Sequence, residues 1–591
     1  ENMAADSTST HINCGIRDNA DVAAVFEEMA DLLEIEGSNP FRIRAYRNAA
    51  RTLRDLPREV GMMLDEGENL TELPGIGEDL AAKIKEVVQT GTAAVLKEHR
   101  KKVPKTLTDL LRIPGIGPKR VKALYHDLNV RTLDQLQKAA QDGLVRSLHG
   151  FGEKTERYIL DQLKKRVGEE KRFQLAVATQ YAEALVAYLR ESPGVKQVVV
   201  AGSYRRAKDT IGDLDILVTA ASGSPVMDRF VSYPEVEEIL AHGATKASVR
   251  LACKLQVDVR VVPDDSYGAA LQYFTGSKAH NVALRQLAQQ RGLKLNEYGL
   301  FRGDRSVAGA TEESVYAAVG LPWIPPELRE NRRELDRARA GRLPVLVEVA
   351  DLKGDLHAHT KATDGHNSMR EMAEAARANG LEYLAITDHS RRLTMAKGLD
   401  PKRLFAQLEE IDRLNETLSG ITLLKGIEVD ILEDGSLDLP DEDLSRLDLV
   451  VGAVHSHFRL SREKQTERIL RAMDHPCFTI LAHPSGRLIG ERTPYDLDMA
   501  RVIHHARERG CFLEVNAHPI RLDLTDTDCQ MAKEEGVMLS INSDAHSTLD
   551  LENLRYGVGQ ARRGWLEKKD VLNTRSLQVL RPLLKRTMVN A

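Results

Sequence analysis

Residues 198–218 read VVVAGSYRRAKDTIGDLDILV, and residues 255–262 read LQVDVRVV. Asp213 and Asp215 stand two apart in an apolar, β-rich run with Leu214, Ile216, Leu217 and Val218. Alternate side chains of a strand share a face, so both carboxylates point the same way. Asp258 lies in a second such run and is placed to sit beside them on a neighbouring strand. Three clustered carboxylates repel one another unless cations neutralise them. An all-oxygen set suits Mg²⁺, with phosphate oxygens completing the shell. Two such ions activate an attacking oxygen and stabilise a leaving one. Upstream, Gly202-Ser203 ends a strand and opens a helix. Glycine permits close approach there, and free helix N–H groups receive phosphate.

The order GS…GDLDIL resembles the nucleotidyltransferase signature, and Tyr273-Phe274-Thr275-Gly276-Ser277, followed by Asn281 and Arg285, resembles the nucleotide pocket of family X DNA polymerases. The resemblance implies an α+β palm over residues 171–265 and a thumb over 266–332, where Asn296-Glu297-Tyr298-Gly299-Leu300-Phe301 also matches. Asp213, Asp215 and Asp258 are then the catalytic ligands of two Mg²⁺ ions. Gly202, Ser203, Arg206, Tyr273, Phe274, Gly276 and Asn281 face an incoming deoxynucleoside triphosphate. Within that set Arg206 takes the triphosphate, Tyr273 and Phe274 pack near the sugar, and Asn281 reaches the minor-groove edge of the base. Arg285 meets the template strand, and Arg260, on the strand face of Asp258, orients the carboxylates. Lys278 stands where the eukaryotic polymerase β type is acidic, which points to the bacterial branch.

Outward from this stretch, 591 residues suggest about four domains. Hydrophobic content of 42% and charge of 29% are those of an ordinary globular chain. A net charge of −5 excludes a uniformly basic coat, so nucleic-acid contact must come from local patches. Five cysteines, at 14, 253, 477, 511 and 529, show no CxxC and fit a reduced compartment. With no apolar run of membrane-spanning length and no signal peptide, a cytoplasmic protein without membrane contact is expected, and the family X resemblance implies a bacterial, nucleoid-associated one. Residues 1–16 read as a disordered tail or tag, with Met3 as a natural start.

Toward the N-terminus, Leu73-Pro74-Gly75-Ile76-Gly77 and Ile113-Pro114-Gly115-Ile116-Gly117 each precede an amphipathic helix. His149-Gly150-Phe151-Gly152-Glu153-Lys154 is a degenerate third copy. Lys101, Lys102, Lys105, Lys119, Arg120 and Lys122 cluster around the second. These resemble helix-hairpin-helix motifs, whose outward backbone N–H groups hold a DNA phosphate without reading bases. Residues 17–95 then form a small 5′-phosphate-binding domain and 96–170 a fingers-like hairpin domain, both all-α. Gly75, Gly77, Gly115, Gly117 and Lys119 are the expected phosphate contacts. By position Lys83 is the lyase lysine of polymerase β-like relatives, with Tyr46 and Arg47 in the matching AYR segment. A Schiff-base lysine must be deprotonated, and Asp79 one turn earlier favours the charged form, which speaks for a surface or phosphate-contacting role.

The C-terminal part holds twelve of the 18 histidines. His357, His359, His389, Glu428, His455, His483, Asp544 and His546 each lie at or near the end of a short apolar run, and helical patterns separate the runs. A (β/α) barrel collects its active site on one face in this way. The region resembles the PHP (polymerase and histidinol phosphatase) domain over residues 351–591, which implies a distorted (β/α)7 barrel holding up to three metals. Carried over, one metal takes His357, His359, Glu428 and Asp544. A second takes Glu428, His455 and His483, and a third Asp364, His389 and His546. Mixed imidazole and carboxylate ligands suit Mn²⁺ or Zn²⁺ better than Mg²⁺. His366, His457 and His518 are expected around this site, and Asp388 is expected to orient a ligand histidine.

The chain thus reads as a multidomain DNA polymerase of the bacterial family X type. It would fill short gaps in repair, as a monomer on gapped or nicked double-stranded DNA. Its metal-dependent phosphoesterase would remove 3′ ends or cut at abasic sites. Residues 333–350 are expected as a linker, its charged, helix-prone start a solvent-exposed or interdomain helix with little apolar face, and the two sites are expected to be independent. The competing readings are a small-metabolite phosphoesterase and a non-catalytic DNA-end-binding scaffold. The hairpin and polymerase motifs argue against the first, the intact ligand sets against the second.

Overall fold

A computed structural model describes residues 19–56, 58–113, 115–167 and 172–588, without the side chains of 105, 112 and 164–167. The expected tail at 1–16, with Met3 and Cys14, lies outside the described residues, as do Pro114 and the side chain of Lys105. The chain divides into two compact units, the second beginning at Lys171.

The first unit is all helical. Helices Asn19–Glu36 and Pro40–Arg54 pack through Phe26, Met29, Ala49, Ala50 and Leu53. Asn39 caps the second helix by accepting from the Phe41 N–H at 2.8 Å, and Pro40 takes the first helical position, where its missing N–H costs nothing. The expected hairpins follow, before helices Glu78–Thr90, Pro118–Leu128 and Glu153–Val167.

In the second unit the palm is a five-stranded sheet. Its spatial order is Val195–Val200, Asp213–Ala220, Gln256–Val261, Lys246–Leu251, Val236–His242. The central pair is parallel and sets Asp215 opposite Asp258. Leu214, Ile216 and Val218 alternate with the aspartates and pack under helix Leu175–Arg190. The thumb follows, with helices Tyr267–Thr275, Lys278–Gln290 and Glu312–Ala318 around Leu284, Leu300, Val315 and Tyr316.

The C-terminal region is a barrel of short parallel strands, all wholly buried but Thr422–Lys425, whose ends are half-buried, as in sheets covered on both faces. One run joins Gly354–Ala358, Tyr383–Ile386 and Thr422–Lys425. The other joins Glu428–Asp430, Val451–Ala453, Ile480–Leu481, Phe512–Asn516 and Leu539–Asn542. The chain passes from Thr422–Lys425 to Glu428–Asp430 without a helix, through Gly426-Ile427, so these are one bent strand and the barrel has seven. A Cβ on Gly426 would lie 2.9 Å from Thr387 Cγ2 and 3.1 Å from the Ile386 carbonyl, so the bend needs a residue without one. Bridges between His389 and Glu428, and between Ala358 and Ala545, close the ring.

The stretch at 333–350, expected as a linker with a solvent-exposed or interdomain helix, is mostly exposed but anchored at a few points. Leu335 and Ala338, three apart on helix Glu334–Arg339, enter the thumb core, and Val347 enters the barrel core. Glu334 is buried against His280 Nδ1 at 2.6 Å. The other charges of the stretch, Arg333, Asp336, Arg337, Arg339, Arg342 and Glu348, are exposed.

Candidate active sites

The three hairpins close the same turn. Ile76 N–H donates to Leu73 at 3.1 Å, Ile116 to Ile113 at 3.0 Å, and Phe151 to Leu148 at 3.0 Å. The first glycine of each pair is left-handed, with φ +74° at Gly75 and +84° at Gly115 and Gly150, and the apolar residue between the glycines is buried. The degenerate third copy therefore has the geometry of the others. Arg120 ties it to the second, donating to the Gly150 carbonyl at 3.0 Å with its guanidinium 5.3 Å from the Phe151 ring. Nothing lies within 4 Å of where a Cβ would stand on Gly77, Gly117 or Gly152, so the backbone there is open to a ligand. Arg44, Lys119 and Arg120 line a groove with Gly115 and Gly117. Lys83, on helix Glu78–Thr90, ion-pairs with Asp79, and its ammonium lies 6.0 Å from the Tyr46 ring.

In the palm, Asp213, Asp215 and Asp258 bring carboxylate oxygens within 4.8 Å of one another. Burial, and repulsion from Asp213 and Asp258, push Asp215 up to about 7. That uncompensated charge is what a cation relieves, so the set fits divalent ions. Gly202 has φ +64°, and a Cβ there would stand 2.6 Å from Asp215 Oδ2. The helix expected after it is a single turn, Gly202–Arg205. Ser203 is half-buried on that turn. Arg206 donates from Nη1 to the Thr275 carbonyl at 2.6 Å and from Nε to Glu330 at 2.8 Å. Gly276 lets it approach, since a Cβ there would lie 3.1 Å from Arg206 Nη1. Tyr273 and Phe274 pack edge to face at 5.0 Å, with Arg260 4.4 Å over the Phe274 ring and Arg285 5.9 Å over the Tyr273 ring. Arg285 Nε is buried without a partner. Asn281, expected to face a base, is buried. Its amide donates to the Tyr273 carbonyl at 2.8 Å and accepts from Gln272 at 2.7 Å.

The sequence motifs did not single out Glu312, which holds the palm turn to the thumb. It accepts from Arg205 Nη2 at 2.7 Å, Arg329 at 2.6 Å and Trp323 Nε1 at 3.0 Å. Burial would raise its pKa, but the Arg205 and Arg329 guanidinium groups hold it down at about 2.

On the barrel, ligand atoms fall into three groups: His359, Asp364, His389 and His546; His357, His359, Glu428 and Asp544; His389, Glu428 and His455. Each two groups share one residue. His483 Nε2 meets the same Glu428 oxygen as His455, at 3.0 and 3.1 Å. Against the lowering effect of burial, Asp544, Glu514 and Glu428 push His357 well above the ordinary imidazole range. Glu428 and Asp364 likewise lift His389 to about 10, while burial and Arg521 pull His483 down to about 4. His357 Nε2, His359 Nδ1, His389 Nδ1, His483 Nδ1 and Glu428 Oε2 are buried without hydrogen-bond partners. Those of His357, His359, His389 and Glu428 belong to residues of the three ligand groups, and such orphans fit divalent cations that accept nitrogen and oxygen together.

Asp388 does not orient a histidine. Its oxygens accept from Thr360, Thr363 and Gln407 and brace the turn after His359. That orienting role falls to Glu514, 2.6 Å from His357 Nδ1, to Asp430, 3.0 Å from His455 Nδ1, and to the Asp544 carbonyl, 2.8 Å from His546 Nδ1. Glu514 sits inside strand Phe512–Asn516 and Asp430 ends strand Glu428–Asp430, and a charge in a wholly buried strand was the available signal. Arg521, 3.5 Å from Asp544, brings a cation to the same mouth, and its Nη1 is buried without a partner. His518 is half-buried nearby, and His457 faces Glu433 at 3.7 Å. His366 touches the group through its backbone, donating to the His546 carbonyl at 2.7 Å.

Known protein families match successive parts of the chain. The DNA polymerase beta palm family matches residues 176–254 and the DNA polymerase beta thumb family 270–330. A helix-hairpin-helix domain matches 17–93, a SAM-like helix-hairpin-helix tandem 107–165, and the PHP domain 355–518. The DNA polymerase/3′-5′ exonuclease PolX of Bacillus subtilis is 38% identical over 570 residues, covering 96% of this chain and 99% of that protein. A probable phosphatase of Acetivibrio thermocellus is 33% identical over 207 residues, 33% of this chain and 80% of its own length. DNA polymerase lambda of Arabidopsis thaliana is 28% identical over 349 residues, 53% of this chain and 62% of that protein.

Proposed function

Because the chain belongs to the bacterial family X of DNA polymerases with a C-terminal PHP domain, we propose that its palm fills short gaps in damaged DNA and its barrel trims 3′ ends. The observation that carries the reading is the register of Asp215 with Asp258, beside Asp213 and the Gly202 turn. In that reaction a primer 3′-OH attacks the α-phosphate of a deoxynucleoside triphosphate and pyrophosphate leaves. Gly202 and Ser203 offer their backbone to the triphosphate, and Arg206 gives it a positive charge. Tyr273 and Phe274 pack on the sugar. Arg285, stacked on Tyr273, meets the template. Asn281 reaches the base only if its amide leaves Gln272.

In the barrel, Glu514 and Asp430 hold His357 and His455 so that the second ring nitrogen of each faces inward. Arg521 draws the scissile phosphate. Divalent cations on these carboxylates and imidazoles supply Lewis-acid polarisation of the phosphate; we read two Mg²⁺ at the palm and up to three Mn²⁺ or Zn²⁺ at the barrel. The substrate is gapped or nicked duplex bound through the hairpin backbones, by a monomer at the bacterial nucleoid. A small-metabolite phosphatase is a second reading for the barrel by itself, since probable phosphatases are among the proteins similar to part of this chain. Extension and degradation of one end-labelled gapped duplex, alongside hydrolysis of a small phosphomonoester, tests both. Absence of nucleotide addition refutes the palm reading. Hydrolysis confined to the monoester refutes the barrel reading.

A further inference from the structure

The turn that carries Arg206 is held from the barrel. Glu330 Oε1 accepts Arg206 Nε at 2.8 Å and Arg563 Nη1 at 3.0 Å. The same Arg563 nitrogen donates to the Arg206 carbonyl at 2.9 Å. At its other end Arg563 donates from Nη2 to Asp526 Oδ2 at 2.7 Å, which Arg332 also reaches at 3.0 Å. Arg206 belongs to the palm, Glu330 and Arg332 to the end of the thumb, and Asp526 and Arg563 to barrel helices Asp526–Glu535 and Leu554–Arg563. The Arg563 side chain is 2% exposed and that of Glu330 13%. Two guanidinium groups, those of Arg206 and Arg563, thus share one oxygen of Glu330. Arg562 adds a second tie from the same helix, to Glu327 at 2.9 Å.

Resting on the polymerase reading of the palm, we propose that Arg563 of the phosphoesterase barrel is a positioning residue for nucleotide addition. By taking a share of Glu330, it keeps Arg206 cationic toward the triphosphate. A guanidinium paired alone with a carboxylate is close to neutral at the distance of a bound phosphate. With Glu330 shared between two guanidinium groups, less of its charge is left to cancel that of Arg206. Without Arg563, both oxygens of Glu330 fall to Arg206, and fork-to-fork pairing, the strongest geometry between these groups, holds it away from substrate. The hydrogen bond from Arg563 to the Arg206 carbonyl also fixes the main chain of the turn. The barrel thereby contributes to a reaction in which none of its metal ligands takes part.

The test is steady-state gap filling with the full chain. Arg563→Met should raise KM for the deoxynucleoside triphosphate about tenfold, as befits one lost charge interaction near the site, and leave kcat and 3′-end degradation near wild type. Adding Glu330→Gln to that variant should return KM toward wild type, because a neutral amide cannot neutralise Arg206. Glu330→Gln alone should lower KM. A residue that served only the fold would depress both activities together and would not be rescued. An unchanged KM in folded Arg563→Met, or a raised KM that Glu330→Gln leaves raised, overturns the proposal. Should Arg563→Met not fold, the nearly isosteric Glu330→Gln decides alone, and an unchanged or higher KM overturns it. Absence of gap filling by the wild type would instead overturn the polymerase reading beneath.

Discussion

Replacing Glu312 by glutamine removes the charge at the centre of the joint between the palm turn and the thumb. Glu312 is 5% exposed and accepts from Arg205, from the fully buried Arg329 and from Trp323. Its pKa is held at about 2 against an ordinary 4.5. At about 1.4 kcal/mol per pH unit, that depression corresponds to roughly 3 kcal/mol of stability at neutral pH. Glutamine also leaves Arg329 as a buried charge without its counter-ion, which places the loss at about 3–5 kcal/mol. The sign follows from the depressed folded-state pKa. The contribution is complete above about pH 4.5, the unfolded value, and is lost as pH falls through about 2. The assay is urea unfolding followed by tryptophan fluorescence. Both tryptophans of the chain, Trp323 and Trp565, pack on the thumb core, so the signal reads this joint. The difference between wild type and Glu312→Gln should fall below about half between pH 7 and pH 3, since at pH 3 most of the linkage has gone. A difference under about 1 kcal/mol at pH 7, or one equal at the two pH values, would refute the argument, because a linkage of this size cannot be both present and flat.

Three further outcomes are expected. Asp213→Ala or Asp215→Ala should lower nucleotide addition by several orders of magnitude with 3′-end degradation kept, and His357→Ala or His483→Ala should do the reverse; primer extension on a labelled gapped duplex reads both, and wild-type extension by Asp258→Ala would remove that residue from the site. After chelation, Mg²⁺ should restore gap filling and Mn²⁺ should restore degradation better than Mg²⁺ does, and equal response of both activities to both ions would dissolve the distinction between the ligand sets. Binding to gapped duplex should weaken steeply with salt and depend little on sequence, and a 5′ phosphate in the gap should strengthen it; a flat salt response in fluorescence anisotropy would count against phosphate-holding hairpins.

The catalytic outline was legible because its signals are local. The spacing of Asp213 and Asp215 needs only the two-residue period of a strand, and the hairpins need only glycines at fixed offsets. The histidines mark strand ends because a parallel barrel gathers them there. What escaped was pairing across long stretches of chain. Glu514 meets His357 from 157 residues away, and no local pattern distinguishes a buried carboxylate that steers a histidine from one that braces a turn, as Asp388 does. The same limit hid Arg563 beside Glu330. Ligand chemistry suggested independent sites, because oxygen and imidazole sets choose different ions. Yet that chemistry says nothing about mechanical connection, and palm, thumb and barrel lie within one compact unit. The charged stretch at 333–350 left two readings open for a related reason, since charge density alone does not reveal which residues of a helix turn inward, as Glu334, Leu335 and Ala338 do.

The triangle of ligand groups on the barrel has a thermodynamic consequence. Its corners share His359, His389 and Glu428 in pairs. A carboxylate has lone pairs for two ions at once, so Glu428 is able to bridge. A neutral imidazole offers one acceptor nitrogen, so His359 and His389 must each choose a corner. Filling one corner therefore changes the donor set left for the next. By reciprocity, each ion alters the affinity of the others by the same factor that they alter its own. Titration of the stripped barrel with a single cation should then trace a cooperative isotherm, and the number of ions bound should depend on free concentration rather than on the count of ligands.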